Sequence, residues 1–121
     1  MEDKPQVLVI DDEAGISLLL VCLLQEFYRV TAVTSASEGR AAIAAGFHPQ
    51  LILLDLCLPD TCGIDIIDEL QATCPQIPII LLTGTCNNKE ITAALARGAF
   101  GYIRKPFSRL ELLEMMTKAQ G

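Results

Sequence analysis

The sequence predicts an α/β fold, an open, doubly wound sheet of five parallel strands with five helices on its two faces. Two observations support this fold. Short apolar runs alternate five times with helical segments along the chain, which is the pattern of parallel strands joined by crossover helices. Several of these runs are uninterrupted, as expected for strands buried on both faces. With 121 residues, the chain is predicted to form one domain over residues 1–121.

The first unit begins with a strand, Val7 to Ile10, that ends in Asp11-Asp12. The helix after it has an apolar stripe that we expect to face the core, formed by Ile16, Leu19, Leu20, Leu23, Leu24 and Phe27. Leu18, Val21 and Cys22 lie off this stripe. The helix is therefore unusually apolar around its circumference. Alternating residues from Tyr28 to Val33 predict a short second strand.

The second helix is predicted to begin at a capping box, in which Ser35 caps the helix and Glu38 reaches back, and to end at Gly46. The third strand, Leu51 to Leu54, runs directly into Asp55. Burying a carboxylate is costly unless its charge is compensated. We therefore expect Asp55 to lie at the end of a buried strand, at a surface opening with cations nearby.

The remaining units follow the same pattern. A helix ends before Pro75, and the fourth strand, Ile79 to Leu82, ends in Thr83-Gly84. Asn87 is predicted to cap the next helix, which ends at Gly98. The fifth strand, Phe100 to Ile103, leads to Arg104-Lys105-Pro106, and Ser108 with Glu111 forms a capping box for the last helix.

Polar side chains follow the predicted strands where the strands end. They comprise three carboxylates, a hydroxyl and an ammonium, from Asp11, Asp12, Asp55, Thr83 and Lys105. In open parallel sheets the working site lies at the carboxyl ends of the strands. Carboxylates close together need a cation, and an all-oxygen site suits Mg²⁺. Asp55 is the best-placed nucleophile for phosphoryl transfer, although any one of these residues alone is more often a turn or cap residue.

Composition excludes several other functions. The net charge of −6 argues against a nucleic-acid-binding surface. The five cysteines include no C-x-x-C pair, so neither a zinc site nor a disulfide framework is expected. The longest apolar run is too short to cross a bilayer, and we expect a cytoplasmic protein. His48 is the single histidine and is expected to be an ordinary loop residue at the end of the sheet opposite Asp55.

Four motifs together resemble the receiver domain of response regulators in two-component signal transduction. The resemblance covers nearly the whole chain and implies a flavodoxin-like sheet with strand order 2-1-3-4-5. The motifs are Val9-Ile10-Asp11-Asp12-Glu13; Leu54-Asp55 followed by Leu58-Pro59 and Gly63; Leu82-Thr83-Gly84; and Gly98-Ala99 with Tyr102, Lys105, Pro106 and Phe107.

The resemblance implies a role for each site residue. Asp55 is the expected phosphoryl acceptor, and Asp11, Asp12, Asp55 and the backbone carbonyl of Cys57 are the expected Mg²⁺ ligands. Lys105 is expected to pair with Asp55 or its phosphoryl group, and its bond to Pro106 is a candidate cis peptide. Thr83 and Tyr102 are the expected switch residues.

The resemblance also implies partners. A histidine kinase or phosphotransfer protein is expected to dock near the first helix, at Leu18, Val21 and Cys22. An output domain or target protein is expected on the face of the fourth helix, fifth strand and fifth helix, and a phosphorylation-dependent homodimer is a further candidate assembly. We expect no enzyme acting on outside substrates, only Mg²⁺-dependent self-phosphorylation and autodephosphorylation.

Three residues depart from the family pattern or occupy its variable positions. Gly84 stands where alanine is usual, and Cys57 and Thr85 occupy positions that influence the lifetime of the phosphoryl group. Neither is charged, so we hypothesise a moderately long-lived phosphoryl group. Two alternative functions stay open: a degenerate receiver acting as an interaction module, and a small phosphatase with an Asp nucleophile. The phosphatase usually needs a second acid where Cys57 stands.

Overall fold

Five strands and five helices alternate along the chain. The computed structural model describes residues 4–56, 58, 63–84 and 88–120. The strands are β1 (Gln6–Ile10), β2 (Arg29–Val33), β3 (Leu51–Asp55), β4 (Ile79–Thr83) and β5 (Gly101–Arg104). The helices are α1 (Ala14–Leu24), α2 (Ala36–Ala44), α3 (Gly63–Thr73), α4 (Asn88–Ala96) and α5 (Arg109–Gln120). The predicted alternation is confirmed.

The strands form one parallel sheet in the order β2-β1-β3-β4-β5. β3 is central and pairs with β1 on one side and with β4 on the other. The chain therefore runs from β1 outward to β2, crosses back to β3 on the other side of β1, and continues outward through β4 to β5. The predicted doubly wound sheet and its strand order are both confirmed.

Each central strand packs against helices on both faces of the sheet. Alternate residues of a strand point to opposite faces, and the core divides accordingly. Leu8, Ile52 and Leu81 belong to the cluster that holds the buried residues of α3 and α4. Leu53 and Ile80 belong to the other cluster, with the buried residues of α1 and α5. Every residue of β3 and β4 is buried, which explains why these strands are uninterrupted apolar runs.

The helix ends are formed by the local chemistry that the sequence predicts. The Ser35 hydroxyl accepts a hydrogen bond from the Glu38 backbone N–H at 3.1 Å, and the Glu38 carboxylate reaches back to accept from the Thr34 backbone N–H at 2.7 Å. Ser108 and Glu111 exchange side-chain to backbone bonds in both directions, at 3.1 and 3.4 Å. Gly46 follows α2 with a φ of 106°, in the region that favours glycine. Both capping boxes and the glycine stop are confirmed.

The predicted core stripe of α1 is partly wrong. Leu20 and Leu24 are buried as expected, but Leu19 is 43% exposed, and Phe27 lies beyond the helix end and is 49% exposed. Ser17 takes the third buried position instead. Because apolar residues cover most of this helix, periodicity alone leaves the direction of its buried face open.

Small shifts occur at the predicted strand ends. β2 begins at Arg29 rather than Tyr28, and β5 covers Gly101–Arg104 rather than beginning at Phe100. The predicted cap Asn87 lies outside the described residues. Within the described parts of the chain, no helix has the length and apolarity needed to cross a membrane.

Candidate functional site

Four adjacent strands bring the predicted polar residues to one edge of the sheet. Asp11 directly follows β1, Asp55 ends β3, Thr83 ends β4 and Lys105 directly follows β5. Because these strands are parallel neighbours, their carboxyl ends meet at the same edge. The Lys105 backbone N–H donates to the Thr83 carbonyl at 2.7 Å. We refer to this edge as the carboxyl-end site.

Three acidic residues form a cluster in this site. One carboxylate oxygen from each of Asp11, Asp12 and Asp55 lies within 4.8 Å of the other two. Asp11 and Asp55 are buried, whereas Asp12 is exposed. Ligands of an octahedral Mg²⁺ lie about 2.1 Å from the ion and so about 3–4 Å from one another. The spacing and the all-oxygen donors fit Mg²⁺, while Cys57, the other predicted ligand, lies outside the described residues.

Lys105 provides a positive charge against these carboxylates. Its Nζ lies 3.0 Å from Asp11 Oδ2, 3.0 Å from Glu13 Oε1 and 3.6 Å from Asp55 Oδ2. Burial alone would lower the pKa of Lys105, but the hydrogen bonds to Asp11 and Glu13 and the charge of Asp55 outweigh it, so the pKa is raised. The ammonium is thus held charged and shared among three carboxylates.

Glu13 is a further contact of Lys105, and the sequence motifs predict no role for it. Its side chain is 59% exposed and still accepts a hydrogen bond from the ammonium. The Glu13 backbone N–H donates to Asp11 Oδ1 at 2.9 Å, so both oxygens of Asp11 are engaged. The sequence signal for this contact is the run of three acids after β1. That run does not show which of the three acids meets the lysine.

Thr83 is fully buried at the end of β4. Its hydroxyl has no hydrogen-bond partner among the described residues, and a buried hydroxyl without a partner is uncommon and costly. Thr83 is therefore a hydroxyl available to a group that enters the site.

Tyr102 lies on the exposed side of β5, with 38% of its surface accessible. The Arg104 guanidinium stacks over its ring, with 5.6 Å between the guanidinium carbon and the ring centroid.

The Lys105–Pro106 peptide bond is cis, as the resemblance suggested. His48 is exposed and precedes β3, so it lies at the end of the sheet opposite Asp55.

A family model, the response regulator receiver domain, matches residues 7–117. The chain belongs to this family. Among curated proteins, this receiver domain is 36% identical to the uncharacterized transcriptional regulatory protein YkoG of Bacillus subtilis, over 97% of the chain and 51% of YkoG.

Solved structures agree with this assignment. A response regulator receiver domain protein from Clostridium thermocellum is 30% identical, with a TM-score of 0.88 over 96% of this chain and 94% of that one. A CheY-like receiver domain protein from Methanospirillum hungatei is 28% identical, with a TM-score of 0.91 over 98% and 94%. The chain spans about half the length, or less, of the curated relatives it matches.

Proposed function

We propose that this receiver accepts a phosphoryl group on Asp55 from a phosphohistidine of a histidine kinase or phosphotransfer protein, in a Mg²⁺-dependent reaction. The observation that carries the proposal is the convergence of Asp11, Asp12 and Asp55 within 4.8 Å, with Lys105 3.0 Å from Asp11 and 3.6 Å from Asp55. An isolated acid at a strand end could be a turn residue, whereas a partly buried acidic cluster around an ammonium is suited to an anion and its metal.

The chemistry follows from the positions of the side chains. A carboxylate oxygen of Asp55 attacks phosphorus, the P–N bond to the donor imidazole breaks with its electron pair leaving on nitrogen, and an acyl phosphate forms. Lys105 stabilises the charge on the transferred group. Asp11 is held by Lys105 and by the Glu13 backbone N–H, which suits a metal ligand better than a nucleophile.

The metal ligands proposed here are Asp11, Asp12, Asp55 and the backbone carbonyl of Cys57. When bound, Mg²⁺ would neutralise charge on the phosphoryl oxygens and on the acidic cluster. We infer no other cofactor and no reaction on outside substrates. The receiver phosphorylates and dephosphorylates only itself.

The signal is proposed to leave through Thr83 and Tyr102. The Thr83 hydroxyl is buried without a described partner, so a phosphoryl oxygen would give it one. Movement of Thr83 toward that oxygen would open space for the Tyr102 ring, and phosphorylation would thereby favour a pre-existing arrangement of the α4–β5–α5 face. That face acts on an output domain or partner protein, and YkoG and other relatives named as transcriptional regulators favour transcription as the output.

Kinase docking is proposed at the apolar surface of α1. Leu18 is 66% exposed, Cys22 is exposed and Val21 is half-buried. An exposed leucine alone is ordinary, but these residues are one to four positions apart on a helix that begins three residues after Asp11. The surface is therefore close to the acceptor and apolar enough to bind a helical partner.

Intact-mass measurement tests the acceptor. The protein is incubated with acetyl phosphate and Mg²⁺, and one added phosphoryl group is expected. The adduct should be absent without Mg²⁺ and in Asp55→Asn, and present in Asp65→Asn, which removes an exposed acid in the first turn of α3. An adduct of equal yield in Asp55→Asn would refute the assignment, and no adduct under any condition would favour the interaction module.

The same adduct measures the proposed phosphoryl lifetime. After removal of the donor, intact mass followed over time gives the half-life of phospho-Asp55. We expect minutes or longer, because neither Cys57 nor Thr85 carries a charge that could orient an attacking water. A half-life of only seconds would contradict this proposal.

A further inference from the structure

Arg104 connects the exposed aromatic ring of β5 to the start of α4. Among the described strands, β5 is an edge strand that pairs with β4 alone. Tyr102 and Arg104 are two residues apart and both exposed, whereas Ile103 between them is buried, so the two side chains share the outer face of the strand. The guanidinium stacks over the Tyr102 ring at 5.6 Å, within the range of a cation–π contact.

The same guanidinium is tied to a second element. Arg104 Nη2 donates to Asn88 Oδ1 at 2.9 Å, and Asn88 is the first residue of α4. Arg104 is also next to two residues of the carboxyl-end site. It is the register partner of Thr83 in the sheet and directly precedes Lys105. The exposed Arg104 side chain thus contacts both the Tyr102 ring and α4 on the α4–β5–α5 face.

We propose that Arg104 is a positioning residue that holds the Tyr102 ring at the surface and ties it to the first turn of α4, which favours the unphosphorylated arrangement of this face. The inference rests on the proposed function, because it assigns to Arg104 the restraint that phosphorylation must overcome. An inward movement of the ring toward Thr83 breaks the stack. An exposed contact of this kind shifts a two-state equilibrium by about two- to fivefold.

The composition of the chain provides a direct probe. The protein has no tryptophan and only two tyrosines. The second, Tyr28, is buried and donates its hydroxyl hydrogen to Gln120 Oε1. In a Tyr28→Phe background, tyrosine fluorescence and its quenching by acrylamide report on Tyr102 alone. Beryllofluoride, a reversible analogue of the phosphoryl group, then titrates the switch while the ring is observed.

The test compares Arg104→Gln with the parent in this background. Without beryllofluoride, the variant should already show part of the fluorescence change that saturating beryllofluoride and Mg²⁺ produce in the parent. Its half-saturating beryllofluoride concentration should be lower by about two- to fivefold. Arg104→Lys keeps the charge but not the planar guanidinium, so it should restore part of the parent behaviour.

Arg97→Gln is the matched control. It removes the same charge directly after α4 and an exposed ion pair, which Arg97 makes with Asp68 of α3 rather than with Tyr102. Unchanged fluorescence and titration in Arg104→Gln, or the same shift in Arg97→Gln, would overturn the inference while leaving the proposed function intact. A parent that gives no response to beryllofluoride would instead refute the proposed function, and the inference with it.

A second variant tests the hydrogen bond between Arg104 and Asn88 of α4. Asn88→Ala keeps the stack and removes the hydrogen bond, so it should lower the half-saturating concentration by less than Arg104→Gln does. Because both substitutions act through one side chain, the double variant should shift less than the sum of the two single effects. Strict additivity would show that Arg104 does not connect Tyr102 with α4.

Discussion

Replacing Lys105 by methionine tests whether its ammonium compensates the buried carboxylates. At an effective dielectric constant of about 20, an ammonium 3.0 Å from a carboxylate gains about 5 kcal/mol before desolvation is subtracted. Glu13 is 59% exposed, so its contact contributes at most about 1 kcal/mol. The main loss comes from Asp11, whose side chain is fully buried. Removing one partner of a buried pair typically costs about 3–5 kcal/mol.

We therefore expect Lys105→Met to lower the free energy of unfolding by about 3–5 kcal/mol. Urea titration at neutral pH without divalent ions measures this as a lower midpoint at unchanged slope. Lys89→Met, at an exposed position of α4, should change stability by no more than about 0.5 kcal/mol. Mg²⁺ should stabilise the Lys105 variant more than the parent, because it supplies positive charge to the same carboxylates. A loss below about 1 kcal/mol in Lys105→Met would refute the compensation.

Three further predictions concern pH, docking and backbone conformation. The pKa of Lys105 is raised in the folded state, so its contribution to the free energy of unfolding is full below the unfolded pKa of about 10.4 and is lost as pH rises through the folded pKa. The stability difference between the parent and Lys105→Met should therefore be equal at pH 7 and pH 9 and shrink above about pH 10.5. A difference that is unchanged at pH 11.5 would contradict this. Leu18→Asp should slow transfer from a cognate kinase but spare labelling by acetyl phosphate, and equal loss of both would exclude a docking role. Gly46→Ala should lower the free energy of unfolding by about 1–2 kcal/mol because of the φ of 106° alone. Gly98→Ala should lower it more in urea unfolding, because the new Cβ would lie 2.7 Å from Gln71 Nε2 and displace the hydrogen bond from Gln71 to the Gly98 carbonyl. Equal losses in the two variants would contradict the steric contribution.

Much of the architecture was predictable because its signals are local. The uninterrupted run before Asp55 predicted a central buried strand, and β3 is buried throughout. The pattern around Ser35 and Glu38 predicted a helix start, because a cap involves residues only three apart. Failures arose where local signals were ambiguous. Leu19 was placed in the core stripe although it is 43% exposed, since a helix apolar on most sides has no unique buried face.

The contacts of the carboxyl-end site were less predictable. Lys105 was expected to pair with Asp55 or its phosphoryl group, and its Nζ does form an ion pair with Asp55 Oδ2 at 3.6 Å. Its shorter contacts, the hydrogen bonds to Asp11 and Glu13, were not expected. The residue types and strand ends indicated which groups would assemble, because parallel strands align their carboxyl ends. They did not indicate which oxygen lies nearest the ammonium, which depends on the packing of side chains from different strands.

The order of residues along the chain is enough to predict the alternation of strands and helices, the acids and lysine at the strand ends, and the resemblance to receiver domains. These depend on periodicity, turn residues and short motifs. The tertiary structure decided how Lys105 is shared among the carboxylates of residues up to 94 positions away. It also decided which face of α1 is buried and that Arg104 joins Tyr102 to Asn88. Such distances depend on how the whole sheet twists and packs, and no local pattern encodes them.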